Sequence, residues 1–360
     1  MSENRIKRLF DGLAPTDEQK ERMYRSIVAH SGSENAKHSP GSPAKRIRLA
    51  ILAAVLMVLL TTTAFAAGFG GLDAGFLRFL SPSSPEQADD LSNGAYAIDK
   101  QTSNENGTLI VKQAIGDGNL TYILMDFIAP ENVVLDAARY RFENPKTTTD
   151  ESFHGTGFEL LDDGNPGDNK ISLVMSLMTE NSLQGQTARF RFTDLQAADP
   201  YPGLFRTVLP GEWEVSFKLD FKAYSSVYRP DKRINLYGYE AVLKSVSVSP
   251  ISIALKIESK FLKEIGKASG ERREIGPNQY ADEYPVTINY KDGTSATTGI
   301  FTGLRLSDLL SSRMLIIKTF EQVINDKEIA SVVFFGVEIP LDTAPLPVRT
   351  GNESFPSPSA

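Results

Sequence analysis

The chain offers few residue types that could do chemistry. Three histidines, His30, His38 and His154, are the only imidazoles in 360 residues, and there is no cysteine. Without cysteine there can be no disulfide, thiolate zinc site, thiol nucleophile or cysteine-ligated iron–sulfur cluster. A zinc site or a histidine-assisted triad needs further donors converging on the imidazole. His30 and His38 fall instead in a Ser/Gly/Pro-rich stretch, "AHSGSENAKHSPGSPA", and His154 lies far downstream. Neither a G-x-S-x-G elbow nor a G-x-x-x-x-G-K-[ST] loop occurs. Gly68-Phe69-Gly70-Gly71 has no strand before it, as a nucleotide loop would require.

Oxygen donors cluster once, in "LLDDGNPGDNKISL", where Asp162, Asp163, Asn165, Asp168 and Asn169 are of the kind calcium takes. An EF-hand loop needs Gly at its sixth position and a bidentate Glu at its twelfth. This stretch has no such Gly, and Val174 stands at the Glu position. An Asx- and Gly-rich β-turn is the better reading, with calcium the lesser one. "KEIGKASGERREIG", Lys263 to Gly276, mixes both charges and reads as a solvated helix or loop. Acidic residues are plentiful beyond residue 48, but no motif selects a pair for glycoside chemistry. The expectation is a non-enzyme with no catalytic residue, cofactor or metal.

What the chain does have is a strong division along its length. Met1 to Arg48 carries 10 Lys/Arg against 6 Asp/Glu, a net of +4, whereas the remainder carries 28 against 39, a net of −11. So acidic a majority argues against nucleic acid as a partner, since that binding depends on neutralising phosphates. Leu49 to Leu72 contains no charged residue, and the 19 residues from Leu49 to Ala67 would cover about 28 Å as a helix, close to the ~30 Å of a bilayer core. Ala64-Phe65-Ala66 has the form of a signal-peptide cleavage site, but 48 residues precede the apolar run where a signal peptide has a short basic region. A retained single-pass transmembrane helix over 49–71 is the expectation. Lys45, Arg46 and Arg48 flank it on one side, and Arg78 is the first basic residue on the other. The positive-inside rule puts the N-terminus in the cytoplasm and the later domains outside the cell membrane.

The elements follow from periodicity. Residues 1–28 read as a helical head. Ile6, Leu9, Phe10 and Leu13 make one apolar face; Thr16 and Gln19 form a capping box; Met23, Tyr24 and Ile27 make a second face. Helices this short are marginal alone, so these faces need a partner or each other. Residues 29–48 form a tether with a basic flank. Residues 72–94 read as a juxtamembrane neck. There Asp73 caps a helix bearing Phe76, Leu77, Phe79 and Leu80, and Ser84, Pro85 and Gln87 open a second helix that stops at Asn93-Gly94.

From residue 95 the period becomes two. Leu109–Ile115 and Leu120–Ile128 flank Gly116-Asp117-Gly118-Asn119, a hairpin signal, and Trp213, Val215, Phe217, Leu219 and Phe221 alternate with polar residues. A second series carries Ile251, Ile253, Leu255 and Ile257, then Val286, Ile288 and Tyr290, with further strands at Met314–Phe320 and Val332–Leu341. The fold class expected is mainly β outside the membrane. Two immunoglobulin-like β-sandwich domains would span 95–222 and 239–345, joined by a polar linker at 223–238 and followed by a disordered tail at 346–360.

This layout resembles the membrane-anchored, anti-sigma-factor-like proteins of Gram-positive bacteria whose outer part is called domain of unknown function 4179. The resemblance rests on "RIKRLFDGLAPTDEQKERMYRSIV", the single anchor, "LDAGFLRFL", "NGTLIVKQAIGDGNLTYILMDF" and "GEWEVSFKLDF". "VLKSVSVSPISIALKIE" to "VVFFGVEIPL" resembles the companion immunoglobulin-like domain. The resemblance implies a cytoplasmic head that binds an alternative sigma factor, through Ile6, Leu9, Phe10, Leu13, Met23, Tyr24 and Ile27, and outer domains that sense an extracytoplasmic ligand. The head has no cysteine, so the zinc that some anti-sigma factors carry is not implied. Two other readings stay open: a surface-anchored structural or adhesive module, and an extracellular enzyme on a β-sandwich.

Overall fold

The computed structural model describes residues 71–149, 154–162, 167–200, 203–271, 284–297, 304–308, 312–320 and 322–341. The head, the tether and the apolar run up to residue 70 lie outside these residues, as does the tail. Among the described residues no helix is long and apolar enough to cross a membrane.

The described chain is mainly β. It opens with two short helices, α1 (Ala74–Leu80) and α2 (Pro85–Gly94). Asp73 caps α1, its carboxylate accepting from the Gly75 and Phe76 amides. Ser84 caps α2, accepting from the Gln87 amide, with Pro85 in the first turn. The return bond of the expected capping box lands one residue early: Gln87 Oε1 accepts from the backbone and the hydroxyl of Ser83, both at 2.8 Å.

Eight strands then build the first pair of sheets: β1 (Tyr96–Asn104), β2 (Gly107–Gly116), β3 (Leu120–Ile128), β4 (Arg139–Thr148), β5 (His154–Leu161), β6 (Lys170–Thr179), β7 (Thr187–Ala198) and β8 (Arg206–Lys218). One sheet has the order β1-β2-β3-β6-β5 and the other β4-β7-β8, all antiparallel. Their inner faces share one core around Phe127, Phe142, Phe190, Phe192 and Trp213. Trp213 is fully buried, and its indole N–H donates to the Gly107 carbonyl at 3.0 Å. A lone tryptophan on an alternating strand is core here, as its spacing predicts. The alternation continues past β8, because Leu219 and Phe221 remain buried without strand pairing.

The second pair of sheets starts earlier than the polar composition suggests. Within the stretch read as a linker lie β9 (Ser226–Tyr228) and β10 (Lys232–Leu236), which both pair with β11 (Tyr239–Val248). Tyr237 and Gly238 close the β10–β11 hairpin with positive φ at both positions, the conformation a two-residue type I′ turn demands. β12 (Ser252–Glu258), helix α3 (Leu262–Glu271), β13 (Val286–Tyr290), β14 (Ser295–Thr297), β15 (Leu304–Asp308) and β16 (Arg313–Thr319) follow, and β17 (Ile329–Phe334) and β18 (Val337–Pro340) end the fold. The segment expected as one strand over Val332–Leu341 is thus a hairpin. Its turn, Phe335-Gly336, again has positive φ at both residues. The sheets run β10-β11-β12-β16-β15 and β14-β13-β17-β18, around a core that includes Leu255, Ile257, Ile316 and Phe334. α3 occupies part of the mixed-charge stretch and turns Leu262 and Ile265 into that core.

Candidate functional site

A third cluster of buried side chains does not belong to either sandwich interior. The outward face of the β1-β2-β3-β6-β5 sheet contributes Ile115, Leu120, Tyr122, Leu124, Val174 and Met178. The second sandwich contributes Ile251, Ala254, Leu315, Ile317 and Val323. Phe76 and Leu80 come from α1, Leu91 from α2, and Leu72 from just before the Asp73 cap. The segment read as a juxtamembrane neck is wedged into a seam between the two sandwiches. The sequence shows the reason. β3 reads "LTYILMDFI" and β6 "KISLVMSLMT", apolar on both faces, as strands are when both sides of a sheet are covered.

Polar contacts fix the wedge. Gln113 on β2 accepts from the Asp73 amide at 2.7 Å and donates to the Gly71 carbonyl. Lys112 Nζ bonds Asp73 at 2.5 Å and lies 3.6 Å from Asp126, which is 1% exposed. Asp126 also meets Lys170 at 3.1 Å and accepts from Ser172 Oγ at 2.7 Å. Burial alone would lower the Lys112 pKa, but Asp126 and Asp73 outweigh it and raise the value. Burial likewise opposes ionisation of Asp73. Lys112 and the helix amides overcome it, holding that carboxyl below its ordinary range.

A second tie crosses the seam. Asp117, in the β2–β3 turn, is 3% exposed. One carboxylate oxygen accepts from the Asn119 and Leu120 amides, both at 2.7 Å, and the other from the hydroxyls of Ser249 and Ser252, both at 2.6 Å. Ser249 lies in the β11–β12 connection and Ser252 opens β12, so a buried carboxyl group of one sandwich is satisfied by the other. Val323 adds a backbone bond to Leu80 at 3.1 Å, joining the second sandwich to α1.

The seam is not filled throughout. A cavity of about 370 Å³ opens where the three parts meet. Its floor is the sheet: Tyr122, Ser176 and Gly157 stand in one cross-strand row, with Val174 and Glu159 in the next. Phe79 and Leu80 of α1 form one wall, and Ile251, Phe320 and Val323 of the second sandwich form the other. A larger open groove, about 870 Å³, lies between the edge strands β4 and β5. There Arg141 stacks over the Phe205 ring at 4.1 Å, and Arg139 lies 4.9 Å from the same ring.

The residues singled out in the sequence fall elsewhere. Ile6, Leu9, Phe10, Leu13, Met23, Tyr24 and Ile27, and the flank Lys45, Arg46 and Arg48, lie outside the described residues. So do Asp163 and Asn165 of the acidic turn. Asp168 caps the Lys170 amide and Asn169 donates to the Ala129 carbonyl, both structural duties. Among the described residues no group of acidic or histidine side chains could hold a metal. Asp117, Asp126 and Glu159 were not signalled as a site. Asp126 stands out in the pattern only as the single acidic residue within the apolar β3.

No family model and no curated protein matches the chain. Solved structures that resemble it include the conserved domain protein from Bacillus anthracis, 13% identical over 66% of this chain and 75% of that one, with a TM-score of 0.45. Another is the N-terminal periplasmic domain of ScsB from Proteus mirabilis, 9% identical over 67% of this chain and 95% of that one, with a TM-score of 0.21. Likeness at this level carries nothing about activity.

Proposed function

We propose that the chain is a single-pass membrane regulator of the anti-sigma-factor-like kind. Its cytoplasmic head binds an alternative sigma factor, and its two immunoglobulin-like sandwiches sense the cell envelope. One observation carries this reading. The residues that directly follow the apolar run, Leu72 to Leu80, are held in the seam between the two sandwiches. Any ligand or force that opens or tightens that seam acts on the segment next to the anchor. A purely adhesive module has no need of such a clamp, since a free stalk would serve it better.

Immunoprecipitation of the full-length protein from native membranes tests this. The wild type should bring down a sigma factor, and Leu9→Asp/Phe10→Asp should lose it. If neither does, the surface-module reading replaces this one. Phosphatase fusions test the topology: activity is expected for a fusion after Leu91 and none for a fusion at Ser42.

A further inference from the structure

We infer that the seam cavity is a binding site for a small organic cation, an ammonium group carried on an apolar or aromatic body. Three aromatic side chains line it, Phe79, Tyr122 and Phe320, and Glu159 is the sole charged lining residue among those described. The Phe79 and Tyr122 rings meet edge-to-face at 5.1 Å. Aromatic faces and a carboxylate together attract a cation and offer nothing to an anion. Glu159 makes no ion pair or hydrogen bond with any described residue. Burial pushes its carboxyl above the ordinary value, and the same carboxylate helps hold the Tyr122 phenol in its neutral form, after burial itself and Asp117. An ammonium ion would supply the missing countercharge.

Size and shape agree with this class. At about 30 Å³ per water-sized group, the cavity has room for about a dozen such groups. Gly157 keeps the floor low: a Cβ there would point at Ser176 Oγ, 2.7 Å away. The net of −11 beyond residue 48 also favours the approach of cations. The inference stands on the cavity and does not depend on a sigma factor inside the cell.

The test is calorimetric titration of the full-length chain with 2-phenylethylammonium, 2-phenylethanol and 3-phenylpropionate, which keep the ring and change the charge. Saturable one-to-one binding of the ammonium is expected, at least about tenfold tighter than either comparison. Glu159→Gln, at an exposed position where the fold is not at stake, should erase most of that preference. Gly157→Phe, checked for native circular dichroism, should fill the floor and abolish binding. The proposal is overturned by equal binding of the three probes, by ammonium binding that survives Glu159→Gln unchanged, or by no saturable binding of the ammonium. Failure of the wild type to capture a sigma factor, with ammonium binding intact, would refute the proposed function alone.

Discussion

Glu159 shows how a single side chain can carry an unmet charge at a modest cost. Its folded pKa lies above its unfolded one because burial penalises the carboxylate. At a pH above both values the group is ionised in both states, so the folded state bears the penalty. Below both pKa values the group is neutral in both, and the penalty vanishes. Glu159→Gln should therefore melt higher than wild type at pH 7, with the difference closing as pH falls through the raised pKa. Thermal melts of the two proteins between pH 7 and pH 4 check this, and a wild type that melts higher at pH 7 would contradict it. Asp73 has the opposite sign. Its lowered pKa stabilises the fold above the ordinary carboxylate range, and that contribution is lost as acid protonates it. Trp213 is the counter-case of a side chain with every need met: fully buried, hydrogen-bonded and packed edge-to-face on Phe127 at 5.1 Å. Trp213→Ala should cost about 3–5 kcal/mol in denaturant unfolding.

At the scale of elements, caps and alternation were legible and composition misled. Asp73, Ser84 and Pro85 announce α1 and α2, and Trp213, Val215 and Phe217 announce β8. The polar run at 223–238 reads as a linker because β10 exposes Lys232, Arg233 and Asn235 and buries only Ile234 and Leu236. A short edge strand with one covered face looks like a linker when polarity alone is weighed. Its turn, Tyr237-Gly238, also lacks the Asn-Gly or Asp-Gly pair that signals a hairpin. The wedge was invisible for a different reason: a cap shows where a helix starts but not what its apolar face will meet. Local sequence does record the fit at one point. Gly94 ends α2 beneath the Tyr224 ring, and a Cβ there would lie 2.4 Å from Tyr224 Cε2. Gly94→Ala, which should otherwise favour the helix, is expected to destabilise by about 1–3 kcal/mol through overpacking. Denaturant unfolding of the variant checks this, and a stabilised Gly94→Ala would mean that α2 is free to move.

For the molecule as a whole, the double-faced burial of the two central sheets decides how it unfolds. If the sandwiches separated, Ile115, Leu120, Leu124, Ile251 and Ile317 would all meet water, and the Asp117 carboxylate would lose two hydroxyl donors. Neither sandwich has another use for these groups, so losing one should expose the other's sheet. The 71–341 region should therefore unfold calorimetrically in one transition rather than two. Ser252→Ala probes the coupling with little other damage, because its hydroxyl donates to Asp117 across the seam. Removing a hydrogen bond to a buried carboxylate costs about 1.5–3 kcal/mol. Ser249→Ala is a poorer probe, since that hydroxyl also accepts from the Ile251 and Ser252 amides and its loss would loosen the turn itself. In Ser252→Ala the single endotherm should fall in temperature and broaden toward two components. Two separate endotherms in the wild type would mean that each sandwich stands alone. The seam would then be an incidental contact, and the link between the outer domains and the segment beside the apolar run would fail with it.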